Sequence, residues 1–582
     1  MPHCHCTGYG GDCCAAPETY GTIENCKSAA RTNQTVVSDL HGTLLRSRSP
    51  FSYFMLVAFE AGSPLRGLVL LLLWPVIWII ETLVSEAASL QLLIFISTVG
   101  ITEAQLHGVA RAVLCKFFLE DMHSLVYPTF MACGRRFVAT STPKVMVEPF
   151  LKDFLGVETV CGSELLMMRG VCSGLVKRDS YGVLGEKEKR DKLHSAVGGL
   201  TPDLGLGVDS TSSPFLSLCK EAYIVTMDPV QAVPREDYLK PLIFHDGRLA
   251  IRPTPLAALA IYLWFPFGLI LAAARLLSWM FLPVEISAPI GAFLGVRVKV
   301  KGAPPLIQGN ETRGMLYVCT HRTLMDPIFL AAALRRRVPA VTYSLSRLSE
   351  MISPIKVVKL TRKRDEDAKT IKDALTQGDL AICPEGTTCR EPYLLRFSPL
   401  FAELTNDIVP TCMHVATSFF HGTTAGGFKA MDPLYFLMNP FPVYNLTFLE
   451  PLAKDETCAS GKSSIWVANH LQKKMAQVLN YECTSLTRRD KYRVLAGNDG
   501  IVQSRGGASD PLRNINMEMG LKMPSLFRSR RNDHNRTGQQ YRKQSMSLND
   551  GYGSLSLGDD GLTILSSLHS SICSLFQDRA GS

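Results

Sequence analysis

The sequence predicts an α/β protein of two domains, each a sheet covered by helices, with apolar segments of nearly membrane length between and within them. Three observations carry this. Residues 130–225 and 292–500 mix β-branched, strand-like runs with helix-like ones, the pattern of sheets covered by helices. Two apolar zones, 67–101 and 256–274, interrupt the polar chain at lengths near the ~20 residues that cross a bilayer. Hydrophobic residues make up 46% and charged residues 19%, which excludes a disordered, collagen-like or highly charged nucleic-acid-binding chain. A net charge of +9 over 582 residues suits an anionic substrate or a membrane surface, not nucleic acid. Seventeen Cys without a repeating frame read as reduced thiols facing a cytosol-like compartment.

Taken in order, residues 1–34 read as a disordered tail. MPHCHCTGYGGDCC has no apolar signal core, and Cys4, Cys6, Cys13 and Cys14 lack metal-finger spacing. A strand is expected to end at Asp39, in TVVSDLHGTLL. Gly67–Ile80 and Leu90–Ile101 are each short of a span, so a membrane-dipping hairpin over about 65–101 is expected, with two tilted spans or a buried helical pair as alternatives. RRFVATS and KVMVEPF read as strands around Pro143. Residues 256–274 are uncharged, lie between Arg252 and Arg275, and hold Pro266 at their centre; a span and a second hairpin over 250–291 fit equally. From 292 to 500, VRVKV, MLYVCT, KVVKL, LAICP, IVPTCM and VYNLTFLEPL read as strands, DPIFLAAALRRR and EDAKTIKDALTQ as helices. Residues 503–582, rich in Ser, Gly, Arg and Asn, read as a disordered tail whose basic run 528–545 is solvated.

The chemistry concentrates after the strand MLYVCT. His321 and Asp326, in Thr-His-Arg-Thr-Leu-Met-Asp-Pro, sit at a strand-to-helix turn where a carboxylate can hold one imidazole nitrogen and leave the other for substrate. That pair suits deprotonation of an alcohol attacking an acyl carbonyl. Pro384-Glu385-Gly386-Thr387 follows 63 residues after His321, again behind a strand, with Arg362 and Arg364 between them and Ile408-Val409-Pro410 beyond.

These ordered blocks resemble the glycerolipid acyltransferase family, with its HxxxxD, Arg-bearing, PEGT and Val/Ile-Pro blocks, over about residues 292–450. The resemblance implies that His321 is the general base and Asp326 its orienting partner. It implies that Arg362 and Arg364, with Glu385 and Gly386, hold glycerol phosphate, as a phosphate dianion requires guanidinium and backbone amides. The segment around Pro410 would shape the acyl pocket. TCREPYLLRFSPLFAEL and HRTLMDPIFL further resemble the land-plant glycerol-3-phosphate acyltransferases of the cutin, suberin and pollen-wall type, whose N-terminal domain is of the haloacid-dehalogenase phosphatase class, a Rossmann-like α/β fold.

In that N-terminal domain, at 35–230, the resemblance marks a degraded site. Asp39 stands at the nucleophile position, but the acid/base Asp expected two residues later is His41. Thr140 would supply the hydroxyl of the second motif, and Lys187 or Lys189 the lysine of the third. Val208 and Ser212 stand where the fourth motif of active phosphatases carries carboxylates. Mg²⁺ needs hard oxygen ligands that neither residue supplies, so an inactive phosphatase is expected.

The implied activity is acyl transfer from acyl-CoA to the sn-2 hydroxyl of glycerol-3-phosphate, stopping at lysophosphatidic acid. No metal or prosthetic group is implied, and the partners are acyl-CoA, glycerol-3-phosphate and membrane lipid. The rivals are a lysophospholipid acyltransferase, a catalytically silent membrane scaffold and a metal phosphatase. An endoplasmic-reticulum membrane location with a cytosolic catalytic domain is expected, so Asn33, Asn310, Asn445 and Asn535 are chance glycosylation matches. Since Asp39 and Thr140 belong to one core, the apolar zone between them must return to the side it left, and basic residues flank it.

Overall fold

The computed structural model describes residues 20–177, 183, 185–209, 211–225, 231–234, 237, 244–304, 314–343, 350 and 353–499. The expected tail 503–582 and the cysteine cluster at the start of the chain lie outside them. The N-terminal domain contributes strands β1 (Gly21–Thr22), β2 (Thr35–Asp39), β3 (Arg135–Pro143), β4 (Thr159–Ser163), β5 (Leu165–Met168), β6 (Val171–Val176), β7 (Leu204–Gly207) and β8 (Glu221–Ile224). Six of them form one sheet in the order β1-β8-β7-β2-β3-β4, with every neighbouring pair parallel. A parallel sheet is covered on both faces, which explains why β2 is buried along nearly its whole length. Asp39 ends that central strand. β5 and β6 form a separate antiparallel ribbon.

Two expectations for this domain are corrected. The fold begins before residue 35: β1 pairs with β8, and buried Arg31 meets Glu221 at 3.0 Å. KVMVEPF is helical, within Lys144–Asp153, not a strand. Its β-branched content misleads, because Met146, Val147, Phe150 and Leu151 recur at helical spacing and are all buried. Glu148 also meets Lys152 at 2.6 Å on the outer face.

Between β2 and β3 the apolar zone forms a helical hairpin, Pro64–Leu83 followed by Glu86–Thr98. Because Asp39 lies opposite Ala139 in parallel register, the chain leaves and re-enters one sheet. The first arm has 20 residues, about 30 Å at 1.5 Å per residue, and leaves Leu65, Leu72 and Leu83 exposed. The second arm has only 13 residues, and Leu90, Leu93, Ile94 and Ile96 are buried.

The second apolar zone is one uninterrupted helix, Pro255–Phe281, which runs through Pro266; the chain turns at Leu282-Pro283 into a second helix, Val284–Phe293. The chain therefore turns at the end of this helix and not at Pro266. Arg275, read from sequence as a charged flank, is fully buried: its guanidinium donates to the carbonyls of Leu437 (2.5 Å), Asn439 (2.7 Å) and Pro440 (2.8 Å).

The C-terminal domain adds β9 (Arg297–Lys301), β10 (Leu316–Cys319), β11 (Ala340–Thr342), β12 (Val357–Lys359), β13 (Leu380–Ile382), β14 (Tyr393–Leu394), β15 (Ile408–Ala416), β16 (Val443–Phe448) and β17 (Glu482–Cys483). Seven strands make a sheet in the order β12-β11-β13-β10-β15-β16-β9, parallel except for the β15–β16 pair. Asn445 is paired inside this sheet, with His414 on one side and Lys299 on the other. β10 lies between β13 and β15, so the loops after β10 and β13 emerge side by side at the carboxyl ends of the strands, where open α/β sheets bind ligands.

The segment 244–254 joins the domains. The Glu60 carboxylate accepts from the Arg248 and Leu249 amides at 2.6 and 2.9 Å, and Arg252 meets Asp121 at 2.5 Å. Toward the other domain, Arg248 meets Asp432 at 2.6 Å. One hydrophobic cluster accordingly runs from Val36 of the first sheet to Phe448 of the second. The described cysteines are all free thiols.

Candidate active site

His321 leaves the end of β10, and Asp326 opens the helix Asp326–Leu334. A carboxylate at a helix start lies among unsatisfied amides. Here Asp326, fully buried, accepts from Arg322 N at 2.6 Å and Thr323 N at 3.0 Å. Its Oδ2 lies 2.9 Å from His321 Nδ1. With the carboxylate ionised, Nδ1 carries the proton and Nε2 keeps its lone pair. The His321 side chain retains 17% exposure, enough for a reactant to reach it.

Three residues around this dyad, Tyr444, Arg322 and Cys383, were not expected from sequence. Tyr444, 118 residues away on β16, donates its hydroxyl to Asp326 Oδ1 at 2.8 Å and also bonds the Thr323 hydroxyl. Its ring stacks on Phe329 at 3.7 Å, which fixes the hydroxyl in place. Arg322 is buried and donates to the carbonyls of Cys389 and Glu391 at 2.7 and 2.8 Å, tying the PEGT loop beneath the dyad. Cys383, after β13, brings its thiol near His321 and Asp326; these three form the group with metal-ligand spacing among the described residues. Arg322 lies inside the motif that holds His321 and Asp326, where its position beside the base is the available signal; nothing local marks Tyr444.

The expected phosphate grip is only partly assembled. Glu385 turns inward instead of toward a ligand: its two carboxylate oxygens accept from His321 N at 2.8 Å and Leu395 N at 3.1 Å. Burial pushes its carboxyl up, while Arg322 and those amides pull it back. Glu385 is thus a brace for His321. Gly386 has φ +66, a conformation suited to glycine, and open space where a side chain would stand. Arg364 is engaged at 2.6 Å with Glu403 on the outer surface. Arg362 is exposed, has φ +69 and lies over the Tyr343 ring at 5.8 Å.

Pro410 likewise departs from expectation, being buried in β15 opposite Val318. The apolar cavity lies elsewhere. About 210 Å³ in volume, it is bounded by Trp279, Ala288 and Gly291 of the helices preceding the domain and by Ile328, Phe329 and Ala332 of the helix that Asp326 opens.

In the N-terminal domain, Asp39 is buried and accepts from the Ser213 hydroxyl. Lys189 stands 3.7 Å from Asp39 and 2.8 Å from Glu186, whereas Lys187 is exposed, which settles the alternative left open by the sequence. His41 Nε2 bonds the Thr142 hydroxyl at 2.8 Å, and Thr140 instead accepts from Thr142 N. Burial drives the His41 pKa down to about 4. Val208 packs by its methyl near Gly42, and the Ser212 hydroxyl donates to Asp209 at 3.0 Å. Asp209 also accepts from Ser212 N at 2.7 Å and the Thr211 hydroxyl at 2.6 Å, so its carboxylate closes its own turn. A methyl and a hydroxyl in place of carboxylates do not fit Mg²⁺.

Residues 35–225 match the family described as glycerol-3-phosphate acyltransferase RAM2-like, HAD-like domain, and residues 297–414 match the acyltransferase family. The chain is 50% identical to "Glycerol-3-phosphate acyltransferase RAM2" of Petunia hybrida over 471 residues, covering 80% of this chain and 98% of the relative. It is 47% identical to "Glycerol-3-phosphate acyltransferase 1" of Arabidopsis thaliana, with 81% and 82% covered. "Probable glycerol-3-phosphate acyltransferase 2" of Arabidopsis thaliana is 43% identical, with 81% and 91% covered.

Proposed function

The chain belongs to the glycerol-3-phosphate acyltransferase family with a haloacid-dehalogenase-like N-terminal domain, and from that premise we propose that it carries an acyl group from acyl-CoA to the sn-2 hydroxyl of glycerol-3-phosphate and releases lysophosphatidic acid. The observation that carries the mechanism is the His321–Asp326 pair at 2.9 Å, with Asp326 held by two amides and Tyr444. His321 Nε2 takes the proton of the acceptor hydroxyl as its oxygen attacks the thioester carbonyl. Asp326 keeps the resulting imidazolium in line and stabilises it. The C–S bond then breaks, and the departing thiolate takes the proton back from His321. Arg362 and the open backbone at Gly386 remain as the phosphate-binding elements, and the apolar cavity beneath Phe329 receives the acyl chain.

The N-terminal domain acts as scaffold in this reading. The donor set at Val208 and Ser212 supports a product that keeps its phosphate. Membrane association is supported by two helices of 20 and 27 residues that are apolar enough to cross a bilayer. The longer one is bolted to the catalytic domain by Trp264 (to Met438 O, 2.7 Å), by Arg275, and by Trp279 against Phe329. Those contacts run over about 22 Å of helix, which favours a helix lying in the interface over one that leaves the domain to span. The endoplasmic reticulum, with the catalytic domain facing the cytosol where acyl-CoA is soluble, suits this arrangement, and the product would serve glycerolipid or cutin, suberin and pollen-wall polyester synthesis. The test is acyl-CoA and glycerol-3-phosphate turnover by membranes carrying the protein, with positional analysis. Phosphorylated sn-2 monoacyl product is expected; Mg²⁺-dependent release of monoacylglycerol would overturn the scaffold reading.

A further inference from the structure

The β5–β6 ribbon of the N-terminal domain is apolar on both faces. Its inner face, Leu165, Cys172 and Val176, is buried, as a docked ribbon requires. Its outer face carries Leu166, Met168, Val171 and Leu175, exposed by 36, 64, 36 and 48%. A ribbon with one face in water alternates apolar and polar residues, and this one does not. Its outward polar side chain, Ser173, is returned to the ribbon's own backbone by donating to Leu166 O at 2.9 Å.

The ribbon is fixed to the apolar hairpin. Gln91 donates to Gly174 O at 3.0 Å, and the amides of Gly100 and Cys172 bond Cys172 O and Ile101 O, each at 2.8 Å. Glu103 N bonds Gly170 O at 3.0 Å. Gly174, on the buried side of the ribbon, packs against Phe95 of the helix Glu86–Thr98, a side chain that is itself 43% exposed. At that same end Arg66 donates to Ser97 O at 3.2 Å, bringing the start of the helix Pro64–Leu83 and exposed Leu65 alongside. Arg169 at the ribbon's tip is exposed, placing a cation where lipid phosphates would meet it, whereas Lys177 at its base is paired with Glu164 at 3.3 Å.

We infer that the outer face of this ribbon is a second membrane contact, inserted into the lipid interface beside the helical hairpin so that the N-terminal domain lies on the bilayer together with the catalytic domain. The inference rests on the membrane reading given above. It commits to lipid because the ribbon is hydrogen-bonded to the apolar helical hairpin, which the membrane reading places at the bilayer, and because Arg169 stands exposed at its tip.

The test places a photoreactive benzoylphenylalanine at Met168, at Phe267 on the long apolar helix, or at Leu200. Leu200 is 63% exposed and lies by Thr35 and Arg135, at the opposite ends of the strands from Asp39. Full-length protein is reconstituted in phosphatidylcholine vesicles containing phosphatidylserine, irradiated and analysed by mass spectrometry. Lipid adducts at 168 and 267 but not at 200 are expected. An adduct at 267 without one at 168, or a protein–protein adduct at 168, overturns the ribbon contact and leaves the membrane reading standing. Absence of adducts at both 168 and 267 overturns both. In a second measurement, the Met168→Glu, Leu175→Glu protein should bind the vesicles at least about threefold more weakly, yet turn over at an unchanged rate in detergent. Unchanged vesicle binding would also overturn the inference.

Discussion

Glu385→Gln separates two roles for a residue that the acyltransferase motif assigns to substrate. In the structure its two oxygens accept from His321 N (2.8 Å) and Leu395 N (3.1 Å) at a site only 3% exposed. Glutamine keeps one acceptor and turns an NH₂ toward the other amide. One buried donor is then left unmade, at about 1–3 kcal/mol, and the bond that survives loses its charge assistance. Buried Arg322 also loses a neighbouring negative charge, while its own hydrogen bonds to the carbonyls of Cys389 and Glu391 remain. Because one of the two amides belongs to His321, about 1.4–2.8 kcal/mol of the cost should appear as misplacement of the base, a fall in kcat of roughly ten- to a hundredfold. The assay is initial rate against glycerol-3-phosphate concentration, paired with thermal unfolding in detergent. A brace predicts reduced kcat and reduced Tm at nearly constant KM. A raised KM with unchanged Tm would refute the reasoning and put the carboxylate on the substrate.

His321→Ala and Asp326→Asn should each lower acyl transfer by about 10²–10⁴-fold while leaving vesicle binding intact, measured by turnover and flotation; full activity in either variant would defeat the base assignment. Ala332→Phe, which fills part of the cavity beside Phe329, should shift acyl-CoA preference toward shorter chains by about tenfold or more, read from kcat/KM across a chain-length series. His41, whose pKa burial lowers to about 4, takes up its proton in the unfolded chain from about pH 6.5. Its contribution to stability is therefore present above pH 6.5 and lost as pH falls toward 4, by about 3 kcal/mol. A His41→Asn protein should lack that part of the acid-induced drop in Tm, and parallel Tm curves for the two proteins would contradict it.

The sequence by itself determined the order of the two domains and the identity of the dyad, because both depend on local signals. His321 and Asp326 are five positions apart across one turn, and β2 and β10 read as short apolar runs bounded by polar residues. Contacts whose partners are remote in sequence were not legible. KVMVEPF took helical form because its buried face packs beneath the first sheet, against its β-branched composition. Arg275 read as the charged end of a membrane segment, but the carbonyls of Leu437, Asn439 and Pro440 in the catalytic domain, with that of Leu294 after the preceding helix, make its burial tolerable. Glu385 lies in a motif whose residues the resemblance assigns to substrate, yet its direction depends on where β13 sets it relative to His321 N. Tyr444 reaches Asp326 only because β16 lies beside β15, and β15 beside β10. A buried carboxylate must find donors wherever the fold supplies them, so tertiary structure alone decided which side chains complete the site.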